Sequence, residues 1–391
     1  MRYIIKRLKR FCSFITGFVF FFSGILKIAD PTGAGLVVSE YMHFMHIDFL
    51  SFSSRFIGEF FALGECVIGT ALITGVWRKV TGLSAMILQG FFTLITLALV
   101  IFNPEMDCGC FGEAIHMSHT QTLIKNLILC ALLITAFIPM RGLGRPKRRK
   151  YASFGIVTIS AVIFAAYSWL GIPIIDFTEF KPGTALQAGN AFHTEEEDMY
   201  EAVFIYEKNG KEKTFTLENL PDSTWTFVST ETVLKEGFEG STASLSFYDK
   251  TGEYQDVKAC QGKVMIISIY DRLSSNQTRK VQTFIDNAAK TGFKTIILQS
   301  GKGQEEKFDN SEAYKADYKT LITLNRSNAG ATYISDGYII CKWARKDLPD
   351  SSELHTLFNG DDTETIIDNT TAGSLTFQGF LLYVFAVMLL M

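Results

Sequence analysis

Long apolar segments alternate with short polar loops over the first 170 residues, and an ordinary polar sequence follows. A helix of about 20 mostly apolar residues spans the hydrocarbon core of a bilayer. Five segments reach that length, and a sixth, at the end of the sequence, is at the short limit. The pattern therefore predicts transmembrane helices at Phe11–Ala29, Phe56–Val76, Val80–Phe102, Gln121–Met140, Tyr151–Leu170 and Leu375–Met391.

Basic residues occur in every second loop of this predicted α-helical bundle, at positions 2–10, 78–79 and 141–150. The alternate loops, 30–55 and 103–120, contain a single Lys or Arg, which is Arg55. Because cytoplasmic loops are enriched in Lys and Arg, we expect a multi-pass inner-membrane protein with both termini in the cytoplasm. Its soluble domain would then be periplasmic. Membrane lipid is an expected partner, whereas the net charge of -3 argues against nucleic acid.

Residues 176–370 have the pattern of a soluble α/β domain. The turn pairs Asn209-Gly210 and Asp336-Gly337 favour two-residue β-hairpins. A buried type of strand at Val264–Tyr270 precedes an amphipathic helix at Thr278–Thr291 and a second strand at Lys294–Gln299. This order predicts a β-α-β crossover followed by a hairpin. Further strands are predicted at Ala202–Tyr206, Lys213–Leu217, Leu245–Tyr248, Ala331–Ile334 and Tyr338–Trp343.

The stretches Leu245–Gly252 and Gly262–Tyr270 resemble the entry to a thioredoxin-like domain of the peroxiredoxin and TlpA kind. That resemblance implies a Cys-x-x-Cys after the strand, where a helix N-terminus lowers the thiol pKa. This chain has Arg272–Gln277 in that position, without cysteine, and Asn328–Gly330 where the family has a cis-proline. We therefore expect a thioredoxin-like extracytoplasmic domain that is redox-inactive by itself.

The loop after the third predicted span contains Cys108-Gly109-Cys110. Glycine between the cysteines lets the backbone fold tightly enough to bring the two sulfurs together. A disulfide between them would close a very small ring, and strained bridges are more oxidising and more labile. Because no long loop is closed, such a bridge would add little stability. The turn therefore predicts a redox pair at Cys108 and Cys110.

Residues 1–140 resemble the DoxX and MauE group of four-helix membrane proteins. The resemblance rests on Ser23–Asp30, on Gly58-Glu59 and Gly64-Glu65, and on the run Cys108–Gly112. It implies association with thiol-disulfide or quinone-linked redox processes, and the MauE type supports disulfide formation in a partner. With the outer domain and terminal span added, the whole chain resembles a DoxX-type protein of the Bacteroidetes kind.

The expected organisation has four parts. A four-helix DoxX-like core occupies residues 1–140, and a basic loop with the fifth helix occupies 141–170. The thioredoxin-like domain covers 176–370, and a terminal helix covers 375–391.

Three ionisable residues lie within or near the predicted spans: Lys27, Glu59 and Glu65. Such residues are costly at membrane depth and are usually functional or paired. We treat them as candidate site residues, and the alternative is a Lys27–glutamate pair that fixes helix packing. The cysteines at 12, 66 and 130 are better explained as packing residues.

Histidines near the cysteine turn offer a second chemistry, since thiolate and imidazole together suit zinc or copper. They are His43, His46, His116 and His119. The spacing of the cysteines and histidines is not that of usual zinc sites, so we expect no metal.

These observations predict a membrane redox-associated protein that supports thiol-disulfide exchange or quinone-linked electron transfer through Cys108 and Cys110. A membrane quinone is a possible cofactor, and a periplasmic or membrane protein is the expected partner. The alternative is a non-enzymatic scaffold or assembly protein, in which the cysteines staple a loop and the outer domain binds a partner.

Overall fold

The computed structural model describes residues 2–104, 106, 108–140, 146–187, 200–208, 211–216, 225–234, 242–300 and 308–390. Two residues of the basic loop, Arg141 and Arg145, lie outside these ranges, as does the predicted turn pair Asn209-Gly210.

Six helices within the described residues are long and apolar enough to cross a membrane, which confirms the predicted multi-pass bundle. Five of them belong to the first half of the chain, where a shorter helix, α2, follows the first span. The helices of this half are α1 (Arg2–Ala29), α2 (Pro31–Phe44), α3 (Ser54–Thr74), α4 (Arg78–Phe102), α5 (His119–Phe137) and α6 (Arg148–Leu170).

The segment between the first two spans is helical, although the sequence pattern predicts only a loop there. Asp30 caps α2 by accepting a hydrogen bond from Gly33 N, and Pro31 occupies the first turn. Both features favour helix initiation, because the cap satisfies an orphan donor and proline has no donor to lose. A 3-10 helix, Asp48–Ser53, then leads into α3.

Small residues bring α1 and α3 unusually close together. A Cβ on Gly24 would lie 2.6 Å from Ala62 O, and one on Gly69 would lie 2.4 Å from Phe21 N. Glycine lets helix backbones approach in a membrane, where van der Waals packing drives helix association. The close pair fixes the side chains of α1 against those of α3 at the end of the bundle that carries the α/β domain.

The second half of the chain forms a mixed α/β domain, as predicted. β8 (Lys263–Ile269), α7 (Ser275–Thr291) and β9 (Lys294–Ser300) form the parallel crossover. The hairpin follows as β11 (Gly330–Ser335) and β12 (Tyr338–Trp343), antiparallel to each other, with β11 antiparallel to β8. The remaining helices of the domain are α8 (Tyr318–Leu324) and α9 (Ser351–Asn359).

Two sheets are present among the described residues. The larger has eight strands in the order β6-β2-β12-β11-β8-β9-β10-β7, and the smaller has the order β4-β3-β5. The other strands are β1 (Cys110–Glu113), β2 (Ala185–Gln187), β3 (Tyr200–Lys208), β4 (Lys211–Thr216), β5 (Thr226–Leu234), β6 (Thr242–Ser244), β7 (Phe247–Tyr248) and β10 (Glu312–Ala316).

The strand predicted at Leu245–Tyr248 is confirmed only at Phe247–Tyr248, and its first half is wrong. β6 ends at Ser244 and pairs with β2, whereas β7 begins at Phe247 and pairs with β10 at the other edge of the sheet. Asp256 redirects the chain here, because its carboxylate accepts a hydrogen bond from Phe247 N at 2.8 Å.

The last helix, α10 (Asp362–Leu390), begins earlier than the apolar segment that starts at Leu375. Its first turns are polar and adjoin the α/β domain, where Tyr333 donates a hydrogen bond to Asp362 Oδ1 at 2.7 Å. Hydropathy detects only the part in contact with lipid. One helix thus connects the α/β domain directly to the bundle.

Candidate functional site

Cys108 and Cys110 lie on a tight turn that enters the short strand β1. Gly109 has a φ of +55°, and a Cβ there would lie 2.1 Å from Val37 Cγ1. Only glycine meets both demands without strain. Cys108 is buried, with 3% of its surface exposed, whereas Cys110 is partly exposed. The two thiols therefore differ in access, and Cys110 is the one that a second molecule could reach.

Side chains from two helices hold the backbone of the turn. Tyr41 of α2 donates a hydrogen bond to Cys108 O at 2.6 Å. Burial raises the pKa of Tyr41, and the neighbouring Cys110 and Cys108 raise it further, so the phenol stays protonated as a donor. On the other side, Ser23 Oγ of α1 lies 2.6 Å from Cys110 O and 2.6 Å from Glu65 Oε2. One hydroxyl hydrogen serves only one of these acceptors at a time.

A buried ion pair lies directly below the turn. Lys27 Nζ contacts Glu65 Oε1 at 2.6 Å, with 13% and 3% of the two side chains exposed. A Cβ on Gly112 would lie 3.7 Å from Lys27 Cγ, so the strand after Cys110 runs along the lysine stem. The pair, Ser23 and the cysteine turn therefore form one connected polar group.

A cavity of about 200 Å³ opens beside this group, between α1, α2, α3, α4 and α5. Most of its wall is apolar, including the rings of Phe61, Phe91 and Phe92. An apolar cavity of about 150 Å³ holds benzene, so this one accommodates a substituted six-membered ring. Its polar lining consists of a few groups, which are Ser23, Lys27, Tyr41, Glu65, Gln89, Thr96, Lys125, Asn126 and the cysteine turn.

The α/β domain contacts the bundle close to the cysteine turn, through Arg326. Arg326 Nε donates to Asp30 Oδ2 at 3.0 Å, and Nη2 lies 2.8 Å from the same oxygen and 3.7 Å from Glu113 Oε1. Burial opposes the charge on Arg326, but Asp30 and Glu113 outweigh it and raise the pKa of the guanidinium. Asp30 caps α2 and Glu113 ends β1. The Arg326 side chain therefore links the two elements that adjoin the cysteine turn.

The start of α7 is the place where the predicted thioredoxin-like fold would carry its cysteines. Ser274 is the N-cap and forms a capping box with Gln277. Asn328 closes the adjoining strand end, because its side chain accepts hydrogen bonds from Tyr270 N and Asp271 N. Tyr270 donates to Arg326 O at 2.9 Å, so this end of the sheet is the one that docks on the bundle.

The structure brings four of the five predicted site residues together: Cys108, Cys110, Lys27 and Glu65. Glu59 is not part of this group, because it does not line the cavity. Neither carboxylate oxygen of Glu59 has a hydrogen-bond partner among the described residues. Glu59 and Glu65 lie on different faces of α3, and only the second points toward Lys27.

The histidines do not gather at the cysteine turn. His43 contacts Asp48 at 2.9 Å on an exposed surface, and His119 contacts Met106 O at 2.9 Å. In the part of the chain that the structure describes, no group of three or more His, Cys, Asp or Glu side chains could hold a metal ion. No disulfide joins any of the seven cysteines, all of which lie within the described ranges.

Sequence reasoning missed several residues that shape the site. Tyr41 lies in a segment predicted as loop, and Gln89 and Asn126 are uncharged residues inside apolar spans. Gln89 donates to Asn126 O at 3.3 Å, and Asn126 donates to Thr96 at 3.0 Å. Buried amides cost free energy without partners, so polar residues in apolar spans were a usable signal. Arg326 gave no such signal.

Comparison with known proteins supports the predicted resemblance of the bundle. Residues 5–139 match the family described as "Methylamine utilisation protein MauE", and residues 200–237 match a domain of unknown function. The chain is 26% identical over 154 residues to "Protein TlpB" of Flavobacterium psychrophilum. That match covers 38% of this chain and 41% of the relative. No solved structure matches the chain.

Proposed function

We propose that this membrane protein is a thiol-disulfide oxidoreductase, or the membrane subunit of one, in which Cys108 and Cys110 alternate between dithiol and disulfide. The observation that carries the proposal is the cysteine turn itself: a partly exposed thiol and a buried thiol, one residue apart, on the wall of an apolar cavity. The resemblance of residues 5–139 to the MauE family supports a redox or maturation role. The orientation expected from the basic loops would put the turn on the periplasmic side of the inner membrane.

The exchange follows from the difference in access between the two thiols. A thiolate of a partner protein attacks Cys110 Sγ, which breaks the Cys108–Cys110 bond and leaves Cys108 as the departing thiolate. The second thiol of the partner then attacks the partner's first sulfur in the mixed disulfide, which closes the partner's disulfide and releases Cys110. The partner loses two electrons and two protons in this sequence, and the turn gains them. The reverse sequence would reduce a partner disulfide.

The cavity fits a membrane quinone as the electron acceptor. Its aromatic wall suits a ring, and Lys27, Gln89 and Asn126 offer donors at the polar part of the lining. A quinone bound there would take up two electrons and two protons from the dithiol. Within the protein, Ser23 and the Lys27–Glu65 pair would hold the turn against the cavity. We assign no step to Glu59.

The α/β domain would act as a positioning module rather than a second redox centre. The order of its strands supports a thioredoxin-like fold, but a capping box stands where that fold would carry cysteines. The same observation favours a second candidate, a scaffold protein whose outer domain binds a partner and whose cysteine turn only shapes a loop.

Trapping the mixed disulfide separates the two candidates. In cells that express the full chain, the Cys110 thiolate of Cys108→Ser attacks the disulfide of an oxidised partner and displaces the partner's second thiolate. Cys108 is then absent to resolve the mixed disulfide, so we expect the partner to accumulate in a reducible covalent complex. Cys110→Ser should capture little, because the remaining thiol is buried. Cys130→Ser, which changes a thiol on α5, is the matched control and should behave as the unchanged protein.

Thiol alkylation in intact cells gives the resting redox state and thus the direction of electron flow. The oxidoreductase is excluded if the pair stays reduced under all conditions and neither cysteine variant forms a complex. Capture of the same partner by the Cys108→Ser, Cys110→Ser double variant would instead favour the scaffold.

A further inference from the structure

A second pocket, of about 290 Å³, lies at the end of the bundle opposite to the α/β domain. It is enclosed by the start of α1, the turn between α3 and α4, and the end of α5. Four of its lining residues are basic: Lys6, Lys9, Arg10 and Arg78. Since the spans begin and end at this level, the pocket lies at the depth of the lipid headgroups.

No carboxylate is among the described residues that line this pocket. The sequence of the segments at this end of the bundle also contains no Asp or Glu. The sequence has no Asp or Glu in residues 1–29, 66–104, 114–175 or 369–391. Apart from Lys27 and Lys125, the basic residues of those same segments are Arg2, Lys6, Arg7, Lys9, Arg10, Arg78, Lys79, Arg141, Arg145, Lys147, Arg148, Arg149 and Lys150. Any Asp or Glu that neutralises this charge would have to come from the distant α/β end, and the alternative is an anion from outside the chain.

Hydrogen bonds to carbonyl oxygens of the chain hold two of the cations at the pocket. Lys9 Nζ donates to Ile138 O and Pro139 O at 3.2 and 3.0 Å. Arg78 Nε donates to Gly75 O at 3.2 Å. Carbonyl oxygens carry no net charge, so these bonds position the cations and add no counter-charge.

The rest of the lining combines apolar and hydroxyl groups. Leu72, Ala136 and Phe137 supply apolar surface, and Ser13 and Thr81 supply hydroxyl oxygens. This mixture is what the phosphate and glycerol of a phospholipid meet at the boundary of the hydrocarbon region. Basic pockets between transmembrane helices are known to bind anionic headgroups.

We propose that this pocket binds the phosphodiester headgroup of an anionic phospholipid. The phosphate lies among Lys6, Arg10 and Arg78, and the acyl chains leave along the outer surface of α1 and α5. Bound lipid ties the start of α1 to the α3–α4 turn. The site is independent of the cysteine turn, and neither proposal needs the other.

Native mass spectrometry of the full chain in detergent tests the proposal, with short-chain phosphatidylglycerol as the probe. We expect one saturable phosphatidylglycerol per chain and no comparable binding of phosphatidylcholine. Inorganic phosphate forms a separate arm, in which saturation at equal concentration would indicate a site for free phosphate and overturn the lipid assignment.

Variants locate the site within the basic surface. Arg10→Gln with Arg78→Gln should weaken binding by about fivefold for each charge removed, the effect expected for one basic residue near an anionic group. Arg7→Gln with Lys79→Gln removes the same charge from the same surface outside the pocket, and should retain the bound lipid. Arg10→Lys keeps the charge and should bind, which shows that loss in the glutamine variant is not loss of folding. Equal losses in the pocket pair and the control pair would overturn the proposal.

Discussion

The cysteine turn of the bundle and the start of α7 in the α/β domain are comparable segments with different side chains. Each is a short polar segment at the end of a regular element, close to the contact between the two halves. The turn uses its polar positions for two thiols and fixes their backbone with Tyr41 and Ser23. The start of α7 uses its positions for a capping box and keeps no thiol.

The difference teaches where reactivity can reside in this molecule. The end of the sheet beside α7 docks on the bundle through Arg326. Ser274 at the start of α7 is exposed, so a thiol there would be accessible, but it would lie outside the lining of the cavity. The turn lies at that same contact, but Cys110 remains partly exposed and adjoins the cavity. The α/β domain thus supports the turn, and the end of its sheet beside α7 is the docking surface.

The largest effect is expected from Arg326→Met. This change removes the buried cation and leaves Asp30 without its partner, at a cost of about 3–5 kcal/mol for a broken buried pair. We expect the unfolding midpoint of the full chain to fall and the α/β domain to become accessible to protease near the contact. Lys319→Met is the control, because Lys319 makes an exposed pair with Glu40 that contributes little. Equal sensitivity of the two variants would show that Arg326 does not hold the halves together.

Gly109→Ala should disturb the turn next most strongly. The positive φ alone costs an ordinary residue about 1–2 kcal/mol, and the new Cβ would also collide with Val37. We expect slower exchange of Cys110, measured as its rate of alkylation and its yield of mixed disulfide. Gly112→Ala is a matched control, since Gly112 also has a positive φ but its Cβ would meet nothing closer than 3.7 Å. If both variants lose the same activity, packing against Val37 is not what shapes the turn.

Tyr41→Phe should have a smaller effect. It removes one hydrogen bond to Cys108 O, which contributes about 0.5–1.5 kcal/mol. The buried thiol should then be alkylated faster, whereas Cys110 should change little. Tyr167→Phe, on the exposed surface of α6, should leave both rates as they are. Unchanged protection of Cys108 in Tyr41→Phe would mean that the packing of α2, rather than this bond, buries the thiol.

Much of this arrangement could be predicted from the sequence, because it depends on local patterns. Apolar segments of span length give the bundle, and Cys108-Gly-Cys110 marks the turn through residue types alone. The choice between Glu59 and Glu65 as the partner of Lys27 could not be made, since it depends on the rotation of α3 against α1. The role of Arg326 could not be predicted for a different reason. Its partner Asp30 is 296 positions away, and no periodicity links the two residues.

The smallest effect is expected from placing the missing cysteines in the α/β domain. Ser274→Cys with Gln277→Cys puts a Cys-x-x-Cys at the start of α7, where the helix dipole lowers the pKa of the first thiol. Loss of the capping box costs about 1 kcal/mol, so the domain should still fold. We expect a new disulfide, seen as protection from alkylation, but no rescue of exchange when Cys108 and Cys110 are both serine. The reason is that the grafted pair, although exposed at Ser274, lies outside the lining of the cavity beside Cys110 and has no electron acceptor next to it. Rescue of exchange by the grafted pair would show that exchange does not need the cavity, and the contrast between a reactive turn and a merely supporting domain would then fail.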